Sequence, residues 1–151
     1  MLLKRLFKNI AILSAFSLLS TGCATRDPGF DPNQPQSSSA ERLGMAYRVG
    51  KDVPINDSKA AYWFQQAAEQ GDAEAANRLG YLYASGKGVG QNYQLALQWY
   101  QQAADAGIAS AKYNLGLLYE HGLGTPIDKE KANQLYHEAA ALGFTPARRK
   151  I

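Results

Sequence analysis

The sequence holds one cysteine, Cys23, and two histidines in 151 residues. An internal disulfide needs two cysteines, so the stability of this chain must come from packing. The dipeptide His137-Glu138 begins like the zinc motif H-E-x-x-H, but Ala141 stands at the second histidine position. His121 falls on a different predicted helix. We therefore predict no metal site.

A surplus of positive charge is also missing from most of the chain. The sequence contains 16 Lys and Arg against 13 Asp and Glu, and three of the basic residues are Lys4, Arg5 and Lys8. Without these three, the numbers of basic and acidic residues are equal. Because nucleic-acid binding requires a basic stripe that displaces phosphate counterions, we expect no nucleic-acid partner.

Motifs for phosphate binding and for catalysis are absent as well. The run from Gly86 to Gly90 is rich in glycine, but it lacks the spacing of a phosphate-binding loop and follows no predicted strand. It is predicted to be a turn between two helices. The S-x-x-K motif of penicillin-recognising enzymes does not occur, and no carboxylate or nucleophile constellation marks a catalytic pocket. We predict a protein without a cofactor or an enzymatic activity.

Residues 1–22 have the pattern of an export signal. A positive start precedes the apolar run from Ile10 to Leu19, which is too short to span a bilayer comfortably. The residues Leu19-Ser20-Thr21-Gly22 then precede Cys23, and this arrangement resembles the lipobox of bacterial lipoproteins. That resemblance implies cleavage before Cys23 and its acylation with a lipid such as palmitate. The alternative is an ordinary cleaved signal with an incidental thiol.

The resemblance also implies a location in the bacterial cell envelope. Ala24, rather than aspartate, follows the cysteine, which favours the outer membrane with the protein facing the periplasm. Residues 23–39 contain Pro, Ser, Asn and Gln with Phe30 as the one large apolar side chain, so they cannot bury enough surface to fold. We predict a disordered tether over 23–39 and a folded domain over 40–151.

The predicted domain consists of one unit repeated with a stride of 36 residues and no gap. A fixed period of this length is typical of stacked supersecondary units, which bury their apolar faces against one another. We predict repeats over 40–75, 76–111 and 112–147, with a partial cap over 148–151. The recurring columns include Leu43, Leu79 and Leu115; Gly44, Gly80 and Gly116; and Ala67, Ala103 and Ala139.

Each repeat is predicted to contain two antiparallel helices, because apolar and small residues recur at helical spacing in two stretches of every unit. A mid-helix glycine costs about 1 kcal/mol relative to alanine, so the glycine column indicates close approach by an aromatic or alanine side chain of the second helix. An oxygen-bearing side chain precedes each second helix and is predicted to cap it. These predicted caps are Asn56, Asn92 and Asp128.

The patterns A-x-x-L-G-x-x-Y-x-x-G and A-x-x-W-[FY]-x-x-A-A-x-x-G resemble the Sel-one-like repeat, a 36-residue relative of the tetratricopeptide repeat. The resemblance covers residues 40–147, with Leu135 standing where the family has tryptophan. It implies an all-α fold, in which three helix-turn-helix repeats form a right-handed superhelical solenoid. It also implies that the first helix of each repeat lines a concave groove and that the protein has no enzymatic activity of its own.

Alignment with the tetratricopeptide unit predicts a partner-binding groove. The residues facing it differ between repeats while the packing columns do not, and they include types that recognition surfaces favour. The alternative is that these side chains face solvent or bury against neighbouring helices. The predicted groove residues are Glu41, Met45 and Arg48 in the first repeat, Asn77, Tyr81 and Ser85 in the second, and Tyr113, Leu117, Glu120 and His121 in the third.

These observations predict an interaction scaffold or adaptor, attached to a membrane by a lipid on Cys23, that binds an unknown protein or peptide. Two alternatives remain open. One is a structural assembly factor in envelope biogenesis or export. The other is a cell-wall glycan-binding module, since Tyr81 and Tyr113 could stack on sugars.

Overall fold

The computed structural model describes residues 36–151, which form six α-helices and a short 3₁₀ helix and contain no strand. The predicted signal, Cys23 and most of the predicted tether lie outside these residues. The first helix begins within the predicted tether rather than after it. The helices are α1 (Gln36–Val49), α2 (Asp57–Glu69), α3 (Ala73–Ser85), α4 (Tyr93–Asp105), α5 (Ala109–His121) and α6 (Lys129–Ala141), and the terminal 3₁₀ helix is Thr145–Arg149.

The six helices form three stacked pairs. Helices α1 and α2, α3 and α4, and α5 and α6 pack as hairpins, and consecutive pairs meet through α2 against α3 and α4 against α5. Because the main contacts join helices that are neighbours in sequence, the architecture is a solenoid rather than a closed bundle. The predicted all-α repeat fold is confirmed. No helix within 36–151 has the length and hydropathy needed to cross a membrane.

The second helix of each pair begins where the caps are predicted. Side-chain oxygens of Asn56, Asn92 and Asp128 accept hydrogen bonds from the backbone N–H three residues later, at 2.9, 3.0 and 2.8 Å. Asp72 caps α3 in the same way, at 2.9 Å. These bonds satisfy amides that the helix itself leaves without partners, so they fix the start of each helix.

The mid-helix glycines admit aromatic rings, as predicted. A Cβ atom added at Gly80 would lie 2.8 Å from Cδ1 of Tyr100, a distance that carbon atoms do not tolerate. The absence of a side chain therefore allows the aromatic residue of the second helix to pack against the backbone of the first. The three pairs are Gly44 with Phe64, Gly80 with Tyr100, and Gly116 with Tyr136.

The turns between first and second helices join adjacent repeats. Gly88 has a φ of 71°, and a Cβ added there would lie 2.2 Å from the carbonyl carbon of Asp57, at the start of α2. The Ser58 hydroxyl donates a hydrogen bond to the Gly88 carbonyl at 2.8 Å. Gly124 has the same relation to Tyr93, at 2.6 Å. The predicted turn is therefore also a contact between repeats.

The first repeat has an aspartate, Asp52, at the position equivalent to Gly88 and Gly124. Asp52 has a φ of 61°, and no other non-glycine residue within 36–151 has a positive φ. Helix α1 is the first helix of the described part of the chain, so Asp52 has no preceding helix start against it. Its side chain is exposed.

The terminal 3₁₀ helix stands where a fourth first helix would begin. Ala147 follows the column of Ala75 and Ala111 and is completely buried, as they are. Ile151 follows the column of the buried Leu79 and Leu115 but is 50% exposed, because the helix ends at Arg149. The residue that packs against the end of the solenoid is therefore Ala147, which precedes the predicted cap over 148–151.

Candidate partner-binding surface

The predicted groove residues lie on α1, α3 and α5, and the surface that these helices share is called here the first-helix face. The three helices contact one another side by side. A 3.2 Å ion pair between Glu41 and Arg78 joins α1 to α3, and the Arg48 guanidinium lies 5.0 Å from the centre of the Tyr81 ring. The Asn77 amide donates a hydrogen bond to the Ser110 hydroxyl at 3.0 Å and thereby joins α3 to α5. The structure therefore brings groove residues of all three repeats to one surface.

Glu41 takes part in a charge network within the chain. Arg78 contacts both Glu41, at 3.2 Å, and Glu74, at 3.3 Å. The prediction missed Arg78, which is one residue after the groove column of α3. A spacing of 37 residues, one more than the repeat, would have identified it as the partner of Glu41. Glu41 therefore has a cationic partner within the chain, which it shares with Glu74.

Asn77 is buried, although it is predicted to face the groove. It is 9% exposed and bonds to Ser110, while the Asn114 amide approaches its carbonyl oxygen at 3.5 Å. A short amide side chain at the closest approach of two helices satisfies its polar groups there rather than in solvent. Asn77 consequently joins repeats and presents little surface to a partner.

Tyr81 is the most exposed aromatic residue of the first-helix face, at 36%. Two cationic side chains approach its ring, with the Arg48 guanidinium at 5.0 Å and Lys87 Nζ at 5.5 Å from the ring centre. Lys87 also donates a 3.3 Å hydrogen bond to the Tyr81 hydroxyl. Ser85 is exposed, but its hydroxyl donates to the Tyr81 carbonyl at 2.8 Å, a bond within the helix.

Tyr81 also belongs to an apolar column that crosses all three first helices. Met45 on α1 and Leu117 on α5 occupy the equivalent positions of the other repeats, and both are half-buried. Met45 lies beside an open cleft of about 490 Å³ at the α1 edge of the face. The described residues lining this cleft are Glu41, Arg42, Leu43, Met45, Ala46, Val49, Lys51 and Asp52.

Tyr113 packs into an aromatic cluster at the other end of the face. Its ring centre lies 5.5 Å from that of Tyr136 and 5.3 Å from that of Phe144. The side chain is half-buried. Since Phe144 follows α6, this contact depends on the path of the chain after that helix. Tyr113 therefore contributes more to packing than the groove prediction implies.

Glu120 is bound on two sides by groups of the same chain. Its carboxylate accepts hydrogen bonds from the Tyr136 hydroxyl at 2.6 Å and from Lys150 at 2.8 Å. The bond from Lys150, followed by that from Tyr136, holds the pKa of Glu120 below its usual value. His121 is exposed, with its Nε2 3.8 Å from the same carboxylate. Lys150 was missed as a site residue, although it occupies the repeat position equivalent to Arg78 and Asn114.

Metal-binding clusters do not occur in the described part of the chain. Residues 36–151 contain no group of three His, Cys, Asp or Glu side chains placed to hold a metal ion. The cleft beside α1 is lined by charged and aliphatic residues without a nucleophile and base pair. The exposed groups beside this cleft and along the first-helix face include a tyrosine, apolar side chains and cations.

Comparison with known proteins agrees with this architecture. Three consecutive segments, residues 37–72, 73–108 and 109–144, match the Sel1 repeat. The period equals the predicted one, and each boundary falls three residues before the predicted boundary. A search of curated proteins found no match.

Solved structures show the same arrangement of helices. A Sel1 repeat protein from Oxalobacter formigenes is 35% identical, with a TM-score of 0.70 over 74% of this chain and 46% of that protein. A protective antigen of uropathogenic Escherichia coli strains that displays an SLR fold is 30% identical, with a TM-score of 0.72 over 74% of this chain and 24% of the antigen. This chain therefore spans less than half of either relative.

Cysteine rich protein B of Helicobacter pylori shares the fold at 21% identity, with a TM-score of 0.65 over 77% of this chain and 89% of that protein. The repeated columns, the glycine and aromatic pairs and the three consecutive matches agree on one family. This chain belongs to the Sel1 repeat family.

Proposed function

We propose that this protein is a non-enzymatic scaffold that binds a partner protein or peptide on its first-helix face. Proteins with Sel1 repeats are generally protein-interaction scaffolds. The observation that carries the proposal for this face is the column of Met45, Tyr81 and Leu117, which places a half-exposed aromatic ring between two aliphatic side chains. Tyrosine at the centre of an apolar patch is a common anchor in protein interfaces.

The proposed location is the bacterial cell envelope, with a lipid on Cys23 as the membrane anchor. The support is the sequence alone: the apolar run, the small residues before Cys23, and the polar segment that separates it from the first helix. A lipid at this position would hold the scaffold at a membrane surface. The tether would leave the first-helix face accessible to partners there.

Between the two alternatives, the structure gives less support to glycan binding. Stacking on a sugar requires a free aromatic face, but Tyr113 packs against Tyr136 and Phe144, and cations lie over Tyr81. A role in envelope assembly is compatible with the same scaffold, because it would also require a bound partner. We therefore take partner binding as the function to test.

The test is a comparison of two tyrosines on opposite helix layers. Tyr81 lies on the first-helix face, while Tyr62 lies on α2 and is 57% exposed. Tagged full-length protein, solubilised from membranes with a mild detergent, is used to isolate a partner, whose affinity for each variant is then measured by calorimetry. Tyr81→Ala should weaken binding by about 1–2 kcal/mol, as expected for an exposed anchor, and Tyr62→Ala should bind as wild type does. Equal affinities for wild type and Tyr81→Ala would contradict the proposed face.

A further inference from the structure

The two cations beside Tyr81 have no acidic partner in the chain as described. Within residues 36–151, no carboxylate oxygen lies within 4.0 Å of Arg48 or of Lys87. Other cations near the first helices do have such partners: Arg78 pairs with Glu41 and Glu74, Lys112 with Glu138, and Lys150 with Glu120. The positive charge beside Tyr81 is therefore not neutralised by an ion pair within the described residues.

We propose that Arg48, Lys87 and the Tyr81 hydroxyl form a binding site for an acidic side chain of the partner peptide. This inference rests on the proposed function and specifies the chemistry of the partner. Arg48 lies 5.0 Å and Lys87 Nζ 5.5 Å from the centre of the Tyr81 ring, so both place positive charge near this side chain. A carboxylate beside the Tyr81 hydroxyl would be attracted by the positive charge of both side chains.

The donors available at this site suit a carboxylate. The Arg48 guanidinium can donate two parallel hydrogen bonds, which match the two oxygens of an Asp or Glu side chain. The Tyr81 hydroxyl accepts from Lys87 and keeps its own proton to donate. The ring meanwhile holds both cations by cation–π attraction, so part of the ordering of their flexible side chains precedes binding.

The surroundings of the site define the rest of the ligand. Glu41 pairs with Arg78, which it shares with Glu74, and Glu120 pairs with Lys150, so both carboxylates already have cationic partners within the chain. Met45 and Leu117 flank Tyr81 along the apolar column. We therefore expect a peptide with one or two acidic side chains next to aliphatic ones.

Synthetic peptides test this specificity even before a natural partner is identified. Peptides of about 12 residues, acetylated and amidated at their ends, carry constant Leu and Ala positions and either Glu, Gln or Lys at the others. Their binding to full-length protein in mild detergent is followed by fluorescence anisotropy of a neutral dye. The Glu series should bind about tenfold more tightly than the Gln series, and the preference should decrease with salt, as expected for exposed charges.

The variants assign the preference to the site. The double change Arg48→Gln with Lys87→Gln should reduce the difference between Glu and Gln peptides to about twofold or less. The matched control is Lys59→Gln, since the Lys59 ammonium also lies 5.0 Å from a tyrosine ring, that of Tyr47, but belongs to α2. The control should keep the tenfold preference. Circular dichroism establishes that each variant is folded.

Several outcomes would overturn this inference, and they separate it from the proposed function. Equal binding of Glu and Gln peptides, both lost in Tyr81→Ala, would remove the acidic specificity and leave the binding face intact. A Glu preference that survives both the double change and Tyr81→Ala would contradict the acidic site and the proposed binding face alike. Absence of binding by every Glu peptide would overturn the acidic site, and the tyrosine comparison with an isolated partner would then decide the proposed function separately.

Two further probes test the source of the negative charge. Gln peptides with a free C-terminus carry one terminal carboxylate, and if they alone bind tightly, the assignment to side chains is wrong. Vesicles with anionic headgroups offer phosphate instead. Vesicle binding that depends on Arg48 and Lys87, without a Glu preference among peptides, would assign the cations to a membrane surface and overturn the peptide site.

Discussion

At the scale of the residue, the glycines of the first helices provide the space into which aromatic rings pack. The ring of Tyr100 lies over the backbone of Gly80, and an added Cβ would meet it at 2.8 Å. The cost of a glycine within the helix is thus offset by burial of an aromatic ring that reaches the backbone. The same pairing occurs in all three repeats, so each hairpin depends on one such contact.

Replacement of this glycine should destabilise the protein. Gly80→Leu should lower the free energy of unfolding by about 1–3 kcal/mol, because the larger side chain overpacks the α3 and α4 interface. The matched control is Gly90→Leu, since a Cβ at Gly90 has no atom within 4 Å and its φ is not in the left-handed region. Urea unfolding followed by circular dichroism measures both. If the two variants unfold at the same urea concentration, the close approach at Gly80 does not stabilise the hairpin.

A second residue-scale prediction concerns Glu120 and pH. Lys150 and Tyr136 lower the pKa of Glu120, so its contribution to stability is present above the unfolded value of about 4.3 and is lost as the pH falls through the lower folded pKa. Glu120→Gln should therefore be less stable than wild type near pH 7, and the difference should shrink towards pH 3. Urea melts across this range measure the difference. Glu130→Gln, which removes an exposed carboxylate without an ion pair in residues 36–151, is the control.

At the scale of the element, the turns after α3 and α5 couple each helix pair to the preceding one. Gly88 lies against the backbone of Asp57 and accepts a hydrogen bond from Ser58. A helix start and a turn from different repeats therefore share one contact. This contact is separate from the packing of α2 on α3, and it fixes the distance between neighbouring pairs.

Alanine substitutions at two glycines with positive φ distinguish the effect of losing this contact on stability from the effect of backbone strain. Gly71→Ala should cost about 1 kcal/mol, because φ is 93° there and no atom lies within 4 Å of the added Cβ. Gly88→Ala should cost about 1–3 kcal/mol more, since its Cβ would also collide with the Asp57 backbone. Thermal unfolding compares the variants, and hydrogen exchange should show faster opening of α1 and α2 in Gly88→Ala. Equal losses would mean that the turn moves freely away from α2.

The helical elements could be predicted from sequence because their determinants are local or repeat in register. The caps at Asn56 and Asn92 act within one turn, and the column containing Gly80 marks the aromatic contact in every copy. The site was less predictable. Burial of Asn77 depends on the distance between α3 and α5. Packing of Tyr113 depends on the path of the chain after α6, which brings Phe144 against its ring.

Arg48 was predicted as a groove residue, but its association with Lys87 at the Tyr81 ring was not, because the two cations come from different elements. Arg48 lies in the last turn of α1, while Lys87 follows α3 in a turn, and neither position shows a pattern that repeats along the chain. Their association with one ring requires the spacing of α1 and α3 in three dimensions. By contrast, the link between Lys150 and Glu120 had a signal, since Lys150 keeps the 36-residue phase of Arg78.

At the scale of the whole molecule, the proposed anchor predicts how the protein distributes in cells. Cys23→Ser should release the protein from the membrane fraction after a salt wash, because the lipid would be lost while the repeats stay folded. Stable attachment takes more than one acyl chain, which a diacylated cysteine would provide. Fractionation and immunoblotting measure the distribution. Retention of the variant in the membrane to the same extent as wild type would rule out Cys23 as the anchor.

Asp52 determines how an array of this kind can lengthen during evolution. A gene duplication that copied the second or third repeat would produce a new turn with Gly88 or Gly124, which fits against the helix before it. A copy of the first repeat placed inside the array would carry Asp52, whose Cβ would meet that helix start. Duplication of the second or third repeat would therefore preserve this contact, whereas duplication of the first would also require replacement of Asp52 by glycine.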